Sequence, residues 1–111
     1  MTVWHKGMTQ EKWNAYPLET HILMIGSEFA RVKALMRDGA WKEVRLCYER
    51  ALELLDLCAG DPQWRPRLKE LTRFRETAGT LYLDGANQPA LFMMMYRTLM
   101  SWTGTTSRVQ L

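Results

Sequence analysis

Histidine and cysteine are the residues of this sequence that could bind a transition metal or take part in catalysis. The only histidines are His5 and His21, and neither belongs to the Glu-x-x-His motif that supplies ligands to a helical di-iron centre. Cys47 and Cys58 stand on one predicted helix, roughly 16 Å apart. That separation is too long for a disulfide, and the pair lacks zinc-finger spacing. The sequence therefore predicts neither a disulfide nor a zinc or di-iron site.

The run from Met93 to Met95 has the side-chain type that binds copper(I), but not the geometry. Consecutive residues of a helix point about 100° apart, so their thioethers cannot converge on one ion. His21 would need a nucleophile or a carboxylate within hydrogen-bonding distance to act as a general base. Glu28, on nearly the same helix face, lies about 10 Å away. Since no glycine-rich phosphate loop occurs either, we predict no metal, no cofactor and no catalytic residue, and therefore not an enzyme.

Arg65, Lys69 and Arg73 form a basic row at positions i, i+4 and i+8 of the predicted helix 62–84. Successive side chains of such a row lie about 6 Å apart, a spacing that could bind the phosphates of a nucleic acid or another anion. The net charge of +3 is only mildly basic, so composition favours a nucleic-acid binder only slightly.

The preceding helix carries carboxylates that could neutralise this basic row. Glu49, Glu53 and Asp56 occur at a matching spacing. In an antiparallel pair of helices, Asp56 would lie near Arg65 and Glu49 would lie nearer Arg73. The row would then be an ordinary solvated helix face, with exposed ion pairs worth under about 1 kcal/mol each. We favour this interpretation and keep anion binding as the alternative.

The last predicted helix, 88–103, is apolar on every side and carries one charge, Arg97. Such a helix is either central in a bundle or buried against a partner. A core face would consist of Leu91, Phe92, Met95, Leu99 and Trp102, which leaves Met93, Met94, Tyr96 and Met100 facing elsewhere. Exposed methionine-rich faces are typical of adaptable interfaces. The candidate interface residues are therefore Phe92, Met93, Met94, Tyr96, Met100 and Trp102, and the pattern leaves core and interface open.

Apolar residues recur at spacings of three and four along most of the chain, as in amphipathic helices. Gly39 lies in a turn so short that the helices on either side must pack antiparallel. Gly26, inside a helix, predicts that another helix crosses closely there. The predicted fold class is all-α, a compact antiparallel bundle in a single domain. Its predicted ranges are 17–37, 41–59, 62–84 and 88–103 for the four main helices, 1–16 for an aromatic arm and 104–111 for a flexible tail.

The N-terminal arm is unusually aromatic, with Trp4, Trp13 and Tyr16. Thr9 could cap a short helical turn through Trp13. We expect the aromatic rings to dock on the bundle, whereas an exposed arm would be a site for a partner.

The segment 38–56 resembles the second helix of a tetratricopeptide repeat and the turn before it. The matching positions are a glycine, an aromatic residue, small residues and a tyrosine: Gly39, Trp41, Val44, Tyr48, Ala51 and Leu54. The resemblance implies that this helix packs in an antiparallel hairpin, and it carries no peptide-binding residues over to this chain.

Composition and targeting signals bear on the class of protein and on its location in the cell. At 47% hydrophobic and 24% charged residues, the chain is typical of a globular domain. It has no secretory signal and no apolar run near the roughly 18–20 residues that span a bilayer, and its cysteines are typical of a reduced, cytoplasmic protein. We predict a non-catalytic module for protein–protein interaction or self-association, with a protein partner or homodimer and no membrane. Weak nucleic-acid or anion binding through helix 62–84 is the alternative.

Overall fold

The computed structural model describes residues 7–84, 88–104 and 106. All regular structure in this part of the chain is helical, which confirms the all-α fold class. The elements in chain order are α1 (Gln10–Asn14), α2 (Leu18–Arg37), α3 (Trp41–Ala59), a 3₁₀ segment (Pro62–Arg67), α4 (Leu68–Asp84) and α5 (Pro89–Met100). Trp4 of the predicted arm, the junction 85–87 and most of the predicted tail lie outside the described residues.

Local sequence explains where the helices begin and end. Thr9 caps α1, because its hydroxyl accepts the backbone N–H of Lys12 at 3.1 Å. Gly39 adopts a φ of +70° in the turn between α2 and α3, a left-handed conformation that favours glycine. Asp61 caps the 3₁₀ segment by accepting the N–H of Gln63 at 3.0 Å.

The region predicted as one helix, 62–84, consists of the 3₁₀ segment followed by α4. Pro66 explains the break, because it has no N–H to donate and its ring crowds the preceding turn of an α-helix. The α-helix begins only at Leu68, beyond this proline. Arg65 consequently lies in the 3₁₀ segment, and the regular spacing predicted for the basic row holds only between Lys69 and Arg73.

Phe29 of α2 is completely buried at the centre of the bundle. Its ring meets Tyr48 of α3 at 5.8 Å, Phe74 of α4 at 5.9 Å and Phe92 of α5 at 6.3 Å between centroids, each time edge to face. This arrangement is favourable because the positive edge of one ring meets the negative face of the other. One side chain therefore contacts an aromatic ring from each of α3, α4 and α5.

Gly26 lets α5 approach α2 closely, as the sequence predicts. A Cβ atom at this position would collide with the methyl group of Met100, and Leu99 is the next neighbour. The close approach buries the C-terminal end of α5 against α2.

Candidate functional site

Most of the apolar surface of α5 belongs to the core of the bundle. Phe92, Tyr96, Met100 and Trp102, all candidate interface residues, are each 6% exposed or less. The expectation that Tyr96 and Met100 face away from the core is wrong. α5 is central enough to contact both α2 and α4, so two of its sides are covered instead of one.

Met94 is the member of this methionine-rich set that remains on the surface. It is 62% exposed, whereas Met93 is half-buried and packs against the core. An apolar contact made through α5 would therefore include Met94.

The basic row is not neutralised in the predicted way. Asp56 forms a bidentate ion pair with Arg75, with Nε–Oδ1 at 2.6 Å and Nη2–Oδ2 at 3.1 Å, and not with Arg65. Glu49 accepts a hydrogen bond from the Tyr82 hydroxyl at 3.1 Å instead of pairing with Arg73. The 3₁₀ segment accounts for the change, because it forms part of the connection between α3 and α4. Since α4 begins only at Leu68, the residues that lie beside α3 stand further along the chain than predicted: Arg75 in place of Arg65, and Tyr82 in place of Arg73.

The side chains of Arg65, Lys69 and Arg73 are exposed. Within the described residues, none of them has a carboxylate at ion-pair distance. The row is therefore a set of unpaired positive charges on the outer side of the 3₁₀ segment and α4.

A groove of about 260 Å³ lies between α4 and α5. Its floor is apolar and includes Phe74, Met95 and Trp102. The surface around it, which we call the α4–α5 face, consists of Glu70, Arg73 and Thr77 from α4 and Leu91, Met94 and Thr98 from α5. The fold thus places Arg73 of the basic row and Met94 of the methionine-rich helix on one surface. From the sequence alone these two residues are separate candidates.

Glu70 and Arg73 stand on the same rim of this groove, three residues apart on α4. Both side chains are exposed. Although residues at this spacing can pair on a helix, these two form no ion pair with each other or with any other residue that the structure describes. The rim therefore presents one unpaired negative and one unpaired positive charge side by side.

His21 lies in a buried polar cluster between α1, α2 and the 3₁₀ segment. Its ring stacks on that of Trp13 at 4.0 Å between centroids, with the planes 7° apart. Nε2 lies 2.6 Å from the Trp13 carbonyl oxygen, and Nδ1 lies 3.0 Å from the indole nitrogen of Trp64. The Asp61 carboxylate is 3.8 Å from Nδ1.

The hydrogen-bond partners fix the tautomer of His21. A carbonyl oxygen only accepts and an indole N–H only donates, so a neutral ring must carry its proton on Nε2 and accept at Nδ1. Burial lowers the pKa of His21, and the Trp13 carbonyl and Asp61 oppose that shift. With both ring nitrogens engaged and no exposed surface, His21 holds the arm in place and has no access to a substrate.

Trp13 of the arm is docked on the bundle as expected, whereas Tyr16 is 40% exposed and Trp4 lies outside the described residues. Polar contacts add to the burial of Trp13. The Gln10 side chain donates to the Leu57 carbonyl at 2.8 Å. The Gln63 side chain donates to the Tyr16 carbonyl at 2.9 Å. No local pattern predicts the hydrogen bond from Trp64 to His21, because the two residues lie 43 positions apart in the sequence. The aromatic character of the arm, with Trp4, Trp13 and Tyr16, is the signal that the sequence offers.

Cys47 and Cys58 are completely buried free thiols. Burial raises the pKa of both, despite the Arg50 guanidinium 3.2 Å from the sulfur of Cys47. Because the thiolate is the nucleophile, neither cysteine has the environment of a reactive residue.

The described residues contain no group of three or more His, Cys, Asp and Glu side chains arranged to hold a metal ion. Within the same residues, no helix combines the length and the apolar character needed to cross a bilayer. Comparisons of the chain with family models, curated proteins and solved structures find no match. The resemblance to a tetratricopeptide-repeat helix stays a prediction, and the function has to be argued from the surface geometry.

Proposed function

We propose that this protein is a non-catalytic interaction module that self-associates through the α4–α5 face. The observation that carries the proposal is Met94, a large apolar side chain that is 62% exposed at the edge of a groove with an apolar floor. Exposed apolar surface of this kind is typical of protein interfaces. Covering Met94 would contribute about 1–2 kcal/mol per copy.

The size of the face predicts a weak complex. α5 has 12 residues and is therefore about 18 Å long, and two helices side by side are about 20 Å wide. Two copies would bury on the order of 800 Å² in total, below the roughly 1,200–2,000 Å² of stable interfaces. We therefore expect a reversible dimer that forms at micromolar or higher concentration.

Light scattering on a sizing column, over a range of loading concentrations, tests the proposal with two matched variants. Met94→Glu places a charge on the face and should yield single copies of 13.0 kDa. Leu83→Glu is the control, because Leu83 is 83% exposed on α4 and does not line the groove. Dimerisation that persists in Met94→Glu, or that is absent from the unmodified protein, would overturn the proposal.

Nucleic-acid or anion binding is the second candidate, and the unpaired state of the basic row favours it. Retention of RNA should then weaken with salt and be lost in Arg65→Glu/Lys69→Glu protein. This variant leaves Arg73 of the α4–α5 face in place. A ratio of absorbance at 260 and 280 nm typical of pure protein, together with no retention at low salt, would exclude this candidate.

A further inference from the structure

The unpaired charges of the α4–α5 face are arranged as a self-complementary pair. Glu70 and Arg73 lie on one rim of one helix, about 4.5 Å apart along its axis. Neither has a partner among the described residues. An acid and a base that stay unpaired beside an apolar groove fit a partner that presents the opposite order of charges.

A second copy of this chain presents that order. In a two-fold interface the same surface is used by both copies, so that residue i meets residue j and residue j meets residue i. If the axis is perpendicular to α4 and passes through the rim near the midpoint of residues 70 and 73, the two α4 helices run antiparallel. Glu70 of each copy then faces Arg73 of the other, and two equivalent ion pairs form.

We infer that the occupant of the α4–α5 face is a second copy of this protein, held in register by two Glu70–Arg73 ion pairs across a two-fold axis. The inference rests on the proposed function and specifies its partner and symmetry. Met94 supplies apolar contact beside the axis, while the charges select the antiparallel arrangement, because a parallel one would bring like charges together.

Charge reversal gives a test that depends on the symmetry. Glu70→Arg protein carries arginine at both positions, and Arg73→Glu protein carries glutamate at both. Each variant alone brings like charges together across the axis, so its dimerisation should weaken at least tenfold. An equimolar mixture should regain dimers, because an all-basic rim then meets an all-acidic one, and sedimentation equilibrium reads the change as a doubling of apparent mass.

Glu43→Arg and Arg37→Glu are matched controls with the same changes of charge. Both residues are exposed near the turn between α2 and α3, away from the groove, and these variants should dimerise as the unmodified protein does. Circular dichroism and urea unfolding would establish that each charge variant is folded.

The outcomes separate this inference from the proposed function. Two weak variants whose mixture regains dimers would support the inference. Dimers that survive both single reversals, or a mixture that stays monomeric, would overturn the inference. If Met94→Glu still abolished dimerisation in that case, the proposed function would stand. An unmodified protein that binds only RNA, only a different protein or nothing at all would overturn both.

Discussion

Trp64 donates its indole N–H to Nδ1 of His21 across 3.0 Å, in a cluster without solvent contact. On the other side of the ring, Nε2 donates to the Trp13 carbonyl. A single imidazole therefore joins the N-terminal arm to the 3₁₀ segment that precedes α4. Since the 3₁₀ segment leads directly into α4, this bond ties the arm to the start of that helix.

Replacing His21 with Phe keeps an aromatic ring against Trp13 but leaves the buried indole N–H of Trp64 without its acceptor. The Trp13 carbonyl loses the His21 contact and keeps the backbone N–H of Tyr16 at 3.1 Å. We expect the free energy of unfolding in urea to fall by about 2–4 kcal/mol. Trp64→Phe removes the orphaned donor, so the double variant should lose less than the sum of the single variants. If the losses of unfolding free energy in the two single variants simply added up in the double variant, the His21–Trp64 hydrogen bond would not contribute to stability.

Stability should depend on pH through His21. The folded protein holds this ring neutral because burial lowers its pKa, whereas the unfolded chain protonates it near pH 6.5. The unfolded state thus binds more protons below that pH. The contribution of His21 to the free energy of unfolding is therefore complete above about pH 6.5. It is lost as the pH falls towards the folded-state pKa, and the loss is at most about 1.4 kcal/mol per pH unit.

Urea unfolding between about pH 7.5 and 5.5 measures this dependence. The His21→Gln variant should show a shallower decline than the unmodified protein. His5 is present in both proteins, so the difference between the slopes reports His21. Equal slopes would mean that His21 titrates alike in the folded and unfolded states.

The contact between Gly26 and Met100 predicts a coupled pair of substitutions. Gly26→Ala gains about 1 kcal/mol of helix propensity but forces the Met100 methyl group out of its place, at about 1–3 kcal/mol. When Met100 is already alanine, the clash is absent. We therefore expect Gly26→Ala to stabilise the Met100→Ala protein by about 1 kcal/mol in thermal or urea unfolding, and to be neutral or destabilising otherwise. An equal effect in both backgrounds would refute the close contact.

Two acidic residues should differ in their importance for stability. Glu28 is buried and accepts hydrogen bonds from Arg31 at 2.9 Å and Arg50 at 3.2 Å, so Glu28→Ala should cost about 2–3 kcal/mol. The Asp56–Arg75 pair is about half exposed, and Asp56→Ala should cost under about 1 kcal/mol. A larger loss for Asp56 than for Glu28 in urea unfolding would reverse this ranking.

The helices and the core stripe of α2 follow from the spacing of apolar residues, because burial of one helix face imposes a period near 3.6. Ile22, Ile25, Phe29 and Val32 are buried as that period requires. The same spacing does not show which side of α5 faces the core, since a helix that is apolar on every side has no polar face to mark the solvent side. For this reason the sequence predicts the wrong side for Tyr96 and Met100, which are both buried.

The site combines residues that sequence spacing cannot bring together. Pro66 lies in a 3₁₀ segment of six residues, so that α4 begins only at Leu68 and Asp56 pairs with Arg75 instead of Arg65. The meeting of Arg73 with Met94 depends on how α4 and α5 pack, which no local pattern encodes. What the sequence does provide is the choice of Met94 and Arg73 as candidates.

The most direct test of self-association through the α4–α5 face is a dilution series that follows the methionine methyl groups by NMR, with Met94 assigned by its loss in Met94→Ile. We predict that the Met94 methyl resonance shifts with concentration between about 20 μM and 1 mM, because this side chain moves from water into the interface. The resonance of Met100, buried in the core, should stay fixed. A Met94 resonance that is independent of concentration over this range would contradict the account.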